Sequence, residues 1–256
     1  MKIRVLGGFG SEQSCCHLTG FLLNDCVMLD AGTISSALTI PELLRITHVL
    51  LTHAHLDHTN AVPFMADNIV GMNKKPVEIA AIAEVLDTVK EHIMNDKVWP
   101  DFTKIPNPKA PTLKYRNLTA GRETPLGGGL RFKPIKVNHT VPTTGFIISE
   151  DENAVLYSGD TKATDAIWKA GLRLGDKLKA VFIETSFPNR MQFIADISGH
   201  LTPQSLGEEL KKLKGYEGPV YVYHVKSQYL LDIEREIDAL GRKDVIVVRD
   251  GMEWEI

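Results

Sequence analysis

Between Thr52 and Thr59 the chain reads His53-Ala54-His55-Leu56-Asp57-His58, three imidazoles and one carboxylate in six residues. Buried and unpaired, such a set is costly. At a strand end it offers nitrogen and carboxylate oxygen, the ligands that first-row metals take. The apolar run Thr47–Thr52 just before it predicts that strand. His53 and His55 are two apart, so an extended backbone points both rings the same way, and a turn then aims Asp57 and His58 at a second point. Further ligands are expected downstream, and three candidates follow apolar runs in the same manner. These are His139 after Phe132–Asn138, Asp160 after Ala154–Ser158, and His224 after Pro219–Tyr223. Four strand ends carrying ligand-type residues predict a metal-holding crevice outside the strand termini.

With these residues in view, the chain resembles the metallo-β-lactamase fold superfamily, which shares HxHxDH, a later His, an Asp and a last His. The match runs from Leu6 to about Tyr229. The resemblance implies an α/β fold, a four-layer αββα sandwich with the site on one rim. It implies two divalent metal ions. His53, His55 and His139 would hold one; Asp57, His58 and His224 the other; Asp160 would bridge them. Zinc suits the histidine-rich set best, and iron and manganese accept the same ligands.

Two more residues narrow the branch. Glu184 closes the run Ala180–Ile183, and His200 stands in Gly199-His200-Leu201-Thr202. The pair resembles the Glu and His of the phosphodiesterase branch that includes tRNase Z, where the Glu orients a proton-donating His. A still narrower likeness is to class II cyclic-nucleotide phosphodiesterases. It rests on LTHAHLDH (Leu51–His58), HIMNDKVWPDF (His92–Phe102), NHTVPTTGF (Asn138–Phe146), ETSFPNR (Glu184–Arg190) and GHLTP (Gly199–Pro203). What this implies is metal-dependent hydrolysis of 3′,5′-cyclic AMP or GMP to the 5′-monophosphate. His200, Glu184 and Asp57 are the expected catalytic residues, with His200 protonating the leaving oxygen. Thr59-Asn60-Ala61 departs from that class. The Gly10–Leu18 loop lacks the Pro/Arg-rich pattern expected of a tRNA reader. Alternatives are a hydrolase of another phosphodiester or ester, and an RNA 3′ processor of the tRNase Z kind. Gly7-Gly8-Phe9-Gly10 lacks the third glycine of a dinucleotide fingerprint.

The elements that must position these residues are mostly short β-branched runs bounded by Gly, Asp, Asn or Pro. They are Ile3–Leu6, Gly20–Leu23, Val27–Leu29, Val49–Leu51, Val77–Ile82, Ile135–Val137, Phe146–Ile148, Ala154–Tyr157, Ala180–Ile183, Val220–Tyr223 and Val245–Val248. Helical patterns fall at Ala83–Met94, Thr164–Ala170, Thr202–Lys214 and Ser227–Leu240, the third opened by Thr202 as N-cap and Pro203. The Pro100–Pro111 stretch is expected to be an ordered surface excursion, with Trp99 and Phe102 pinning it to the core or to a second subunit, or stacking on a base. The second-subunit option leaves a homodimer open. Lys226 and Tyr229 are candidates for phosphate contact or for an ordinary helix surface.

The 256 residues, read as one hydrolase domain over 1–256, are 43% hydrophobic and 24% charged, with a net charge of −3. That balance suits a globular protein with a small-molecule cyclic-nucleotide substrate better than one living on nucleic acid or anionic membrane. The three cysteines, Cys15, Cys16 and Cys26, form no CxxC and are expected to be reduced thiols. Met1–Leu6 is too short for a signal-peptide core, and no run reaches the roughly 18 apolar residues of a span. The expected location is therefore the cytoplasm.

Overall fold

Side chains alternate along the central strands between two apolar environments, as the period of two demands. Phe21 and Leu23 face one way and Leu22 the other; Phe182 faces opposite to Val181 and Ile183; Tyr221 and Tyr223 face opposite to Val220 and Val222. A strand apolar on both faces must be covered twice, which requires a layered fold. A computed structural model describing residues 1–256 has that form.

One seven-stranded sheet runs, in spatial order, Glu253–Glu255, Lys2–Gly7, Gly20–Leu23, Val27–Leu29, His48–Leu50, Val77–Ala81, Leu113–Asn117. The other runs Val245–Val247, Val220–Tyr223, Leu178–Glu184, Asn153–Tyr157, Thr144–Glu150, Arg131–Lys136, Thr124–Pro125. Each has a parallel half: Val27–Leu29 through Leu113–Asn117 in the first, Asn153–Tyr157 through Val245–Val247 in the second. Between the sheets lies one core, in which Phe21 meets Tyr157, Phe182 and Tyr223 edge-on. Helices Ile40–Leu43, Ala61–Ile69 and Ala83–His92 cover the outer face of the first sheet. Ala166–Leu172, Pro203–Leu210 and Leu230–Asp238 cover that of the second. This is the expected αββα order.

The expected helix starting after Thr202 is there, with Thr202 accepting from the Ser205 N–H, the Ser205 side chain returning to the Thr202 N–H, and Pro203 in the first turn. The Ser227–Leu240 helix is shorter than its pattern: Ser227–Tyr229 is a 3₁₀ turn, and the α-helix runs Leu230–Asp238. The proline stretch is the ordered excursion expected. A small hairpin, Pro106–Asn107 against Ala110–Pro111, projects from it, while Phe102 is buried in the first sheet's outer core and Trp99 packs on its edge. Burial removes Phe102 as a base-stacking residue.

Candidate metal centre

The parallel strands of both sheets end on one rim, and the turns beyond several of them present a polar side chain. After His48–Leu50 the chain bends at Thr52, is extended again at His55, and then enters the short helix Leu56–Thr59, which carries Asp57 and His58. His139 follows Arg131–Lys136, Asp160 follows Asn153–Tyr157, Glu184 ends Leu178–Glu184, and His224 follows Val220–Tyr223. His200 arrives differently. Helix Gln192–Ser198 stops at Gly199, whose φ of 77° lets the chain reverse. The Gly199 carbonyl accepts from His139 Nδ1 at 2.9 Å, and an added Cβ would lie 2.8 Å from that nitrogen.

All nine expected site residues converge. Donor atoms of His53, His55 and His139 lie within 4.8 Å of one another, as do those of His53, His58 and Asp160, and those of Asp57, His58 and His224. His55 Nδ1 is 3.1 Å from His53 Nε2 and 3.3 Å from His139 Nε2. Asp160 Oδ2 sits centrally, 3.6 Å from His53 Nε2 and 3.3 Å from both His58 Nε2 and His224 Nε2. His224 Nε2 is 3.2 Å from Asp57 Oδ2.

The outward nitrogens are tied down, which fixes ring orientation and tautomer. His53 Nδ1 lies 2.9 Å from Thr52 Oγ1, and His224 Nδ1 2.9 Å from Ser186 Oγ. His58 Nδ1 donates to Asp30 Oδ2 at 2.8 Å. Asp30 also accepts from the Thr52 N–H, the Thr52 hydroxyl and the Tyr157 hydroxyl. The sequence reading passes over Asp30 and assigns Ser186 no role. Asp30 has the same signal as the others, a polar residue directly after the apolar strand Val27–Leu29.

Asp30 and His224 both have positive φ, 55° and 63°. For histidine this left-handed backbone is a strained state of the kind held only by surrounding structure. Here the His224 N–H donates to the Gly8 carbonyl at 2.6 Å, and Gly10 lies so close that a Cβ would meet the ring at 2.5 Å.

Charge states suit a cation. Burial holds the His53 imidazole well below its usual pKa, and burial likewise lowers His55 and His139. Burial favours neutral carboxyls at Asp57 and Asp160, but the neighbouring imidazoles, His224 foremost, outweigh it and hold both below the usual range. Neutral imidazoles beside ionised carboxylates are the deprotonated ligands that metals require. His58 differs: burial is overcome by Asp160 and Asp30, which raise its pKa, so a metal held there would have to displace a proton. His58 Nε2 and Asp160 Oδ1 are buried with no hydrogen-bond partner. Orphaned buried polar atoms inside an N/O donor cluster are what an ion satisfies, so the residues fit divalent metal.

Beside the cluster, His200 Nδ1 donates to Glu184 Oε1 at 2.9 Å. Glu184 is fully buried and fixed by the Thr161 N–H and the Ser186 hydroxyl. Burial lowers the His200 pKa and the Glu184 carboxylate more than reverses this, so the ring is protonated more readily than a free imidazole. Lys226 also reaches the cluster, its Nζ 3.9 Å from Asp57 Oδ2. Tyr229 packs instead on Phe187 and under Arg190.

Residues 23–225 match the family model described as the Beta-lactamase superfamily domain. A probable 3′,5′-cyclic-nucleotide phosphodiesterase of Yersinia pestis is 29% identical over 211 residues, covering 72% of this chain and 58% of the relative. A 3′,5′-cyclic-nucleotide phosphodiesterase of Schizosaccharomyces pombe is 27% identical over 184 residues, covering 65% and 51%. The chain thus spans a little over half the length of these relatives. Among solved structures, unliganded yeast PDE1 superposes with a TM-score of 0.81 at 18% identity over 100% of this chain and 99% of that one. Human tRNase Z, short form, gives 0.71 at 18% over 100% and 99%. With two helix-covered sheets and a family match over most of its length, the chain belongs to the β-lactamase superfamily, in its metallo-β-lactamase fold form.

Proposed function

We propose that this chain is one hydrolase domain acting as a metal-dependent phosphodiesterase, and that its substrate is a 3′,5′-cyclic nucleotide, cyclic AMP or cyclic GMP. The observation that carries the reading is the His200–Glu184 pair set against the donor cluster, His200 Nδ1 2.9 Å from Glu184 Oε1 and 4.0 Å from Asp160 Oδ2. The relatives named as cyclic-nucleotide phosphodiesterases support the substrate class.

In this reading His53, His55 and His139 would hold one divalent ion, and Asp57, His58 and His224 a second. Asp160 would serve both, and zinc is favoured by the imidazole count. Bound divalent ions lower the pKa of water to about 7 and neutralise charge on phosphoryl oxygens. The protein's own part is proton management. Glu184 accepts the hydrogen bond from His200 Nδ1–H and stabilises the charged ring, leaving the Nε2 proton for the departing 3′-oxygen. Ser186 links the two parts, since its hydroxyl lies against Glu184, His200 and His224.

The test is a hydrolysis panel on metal-defined protein: cyclic AMP, cyclic GMP, a 2′,3′-cyclic nucleotide, bis(p-nitrophenyl) phosphate and precursor tRNA. The 3′,5′-cyclic nucleotides should be cut at least as well as any linear diester. Cleavage of the aryl diester with cyclic AMP and cyclic GMP left intact refutes the substrate assignment. Preference for precursor tRNA, with steep salt dependence, gives the RNA-processing alternative.

A further inference from the structure

Lys226 lies two residues beyond His224, and its backbone is held from several sides. Its N–H donates to the Ser186 carbonyl at 3.2 Å, its carbonyl accepts from Tyr229, and next to it the Ser227 N–H donates to Ser11 Oγ at 2.8 Å. The side chain is only 19% exposed, unusual for a lysine, and its ammonium donates to the Gly10 carbonyl. That carbonyl is a neutral acceptor and takes one of three N–H donors. The only carboxylate within ion-pair reach of Nζ is Asp57, at 3.9 Å. Asp57 is already engaged by His224 and, in the proposed centre, by a divalent ion. The ammonium is thus preorganised, largely buried and short of a counter-anion, at the edge of a donor cluster that would attract anions once it holds divalent ions.

We propose that Lys226 is an anion-binding residue of this site, holding a non-bridging phosphoryl oxygen of the substrate through its ammonium. The proposal rests on the phosphodiesterase reading of the centre, without depending on which diester is cut. A fixed cation next to a phosphoryl group contributes a charge-assisted hydrogen bond. The Gly10 carbonyl keeps the lysine stem from wandering, so little side-chain entropy is lost on binding.

The experiment uses K226M, which keeps the stem and removes the charge, and K226R, which keeps the charge. Inorganic phosphate is the probe, titrated against the metal-loaded protein and also measured as an inhibitor of bis(p-nitrophenyl) phosphate hydrolysis. K226M should bind phosphate roughly 10- to 100-fold more weakly, the loss expected for a hydrogen bond to a charged group. It should raise KM for the diester more than it lowers kcat, and keep the parent's metal content and Tm. K226R should recover phosphate affinity to within a few-fold. Unchanged phosphate affinity in K226M overturns the proposal. So does a K226M that loses metal or melts early, which makes Lys226 a strap for Gly10. If cyclic AMP and cyclic GMP are not hydrolysed by the parent while phosphate affinity still depends on Lys226, the substrate reading fails and this one stands.

Discussion

Asp30→Asn isolates how much the buried carboxylate beneath the centre contributes. Asparagine tolerates the positive φ at this position, so the substitution adds no backbone strain. It replaces one carboxylate oxygen by an amide NH₂. Oδ1 accepts from the Thr52 N–H at 2.8 Å; Oδ2 accepts from His58 Nδ1 at 2.8 Å and the Tyr157 hydroxyl at 3.0 Å. Whichever way the amide faces, at least one buried donor meets another donor. An unsatisfied buried group costs about 1–3 kcal/mol. At roughly 2–4 °C per kcal/mol for a chain near this size, the Tm of chelator-treated protein should fall by about 2–12 °C. Loss of the carboxylate partner of His58 should also weaken metal binding by roughly 10- to 100-fold. Thermal unfolding without metal and competition against a chromophoric chelator read the two effects separately. An Asp30→Asn protein with parental Tm and parental metal affinity would refute the reasoning.

His200→Ala should retain metal and lose roughly 10²–10⁴-fold in turnover on alkoxide-leaving diesters, with a smaller loss on a p-nitrophenyl diester; equal losses remove the proton-donor role. Asp160→Ala should lose most bound metal by elemental analysis, because its carboxylate faces His53, His58 and His224 at once. Gly10→Ala should displace the His224 ring it would otherwise overlap, seen as reduced metal content at constant expression. In metal-free protein the folded-state pKa of His200 is raised above the unfolded value of about 6.5. The Glu184–His200 contribution is therefore complete below that pH and fades as pH climbs through the raised value, and Glu184→Gln should flatten that part of the Tm–pH curve.

The strands were legible because both of their faces are buried, so runs such as Ala180–Ile183 carry no polar interruption and end abruptly at Glu184. The same abruptness exposed His53, Asp160 and His224. Asp30 escaped because a lone aspartate after a three-residue strand looks like a turn residue, and its meaning lies in contacts with His58 and Tyr157 far along the chain. Helix Ala61–Ile69 escaped for a local reason: Pro63 reads as a breaker, yet it sits in the first turn, where a missing N–H costs nothing. Phe102 and Trp99 were ambiguous because an aromatic residue in a proline-rich loop serves equally to anchor it or to face a ligand, and only packing decides.

The strand seam around His224 has a bearing on when during synthesis the centre can exist. His53 through His58 are made well before His224, the last donor, whose left-handed backbone is held by Gly8, 216 residues before it. Phe9 bridges to Val225 and Gly10 donates to the Val225 carbonyl, so the segment that secures the last donor is made before any of the donors. A nascent chain paused anywhere before Val220–Tyr223 displays only a partial donor set on an incomplete sheet. Completion of the donor set therefore coincides with the meeting of two segments more than 200 residues apart, and it reports that the Gly8–Gly10 segment has docked against Val220–Tyr223.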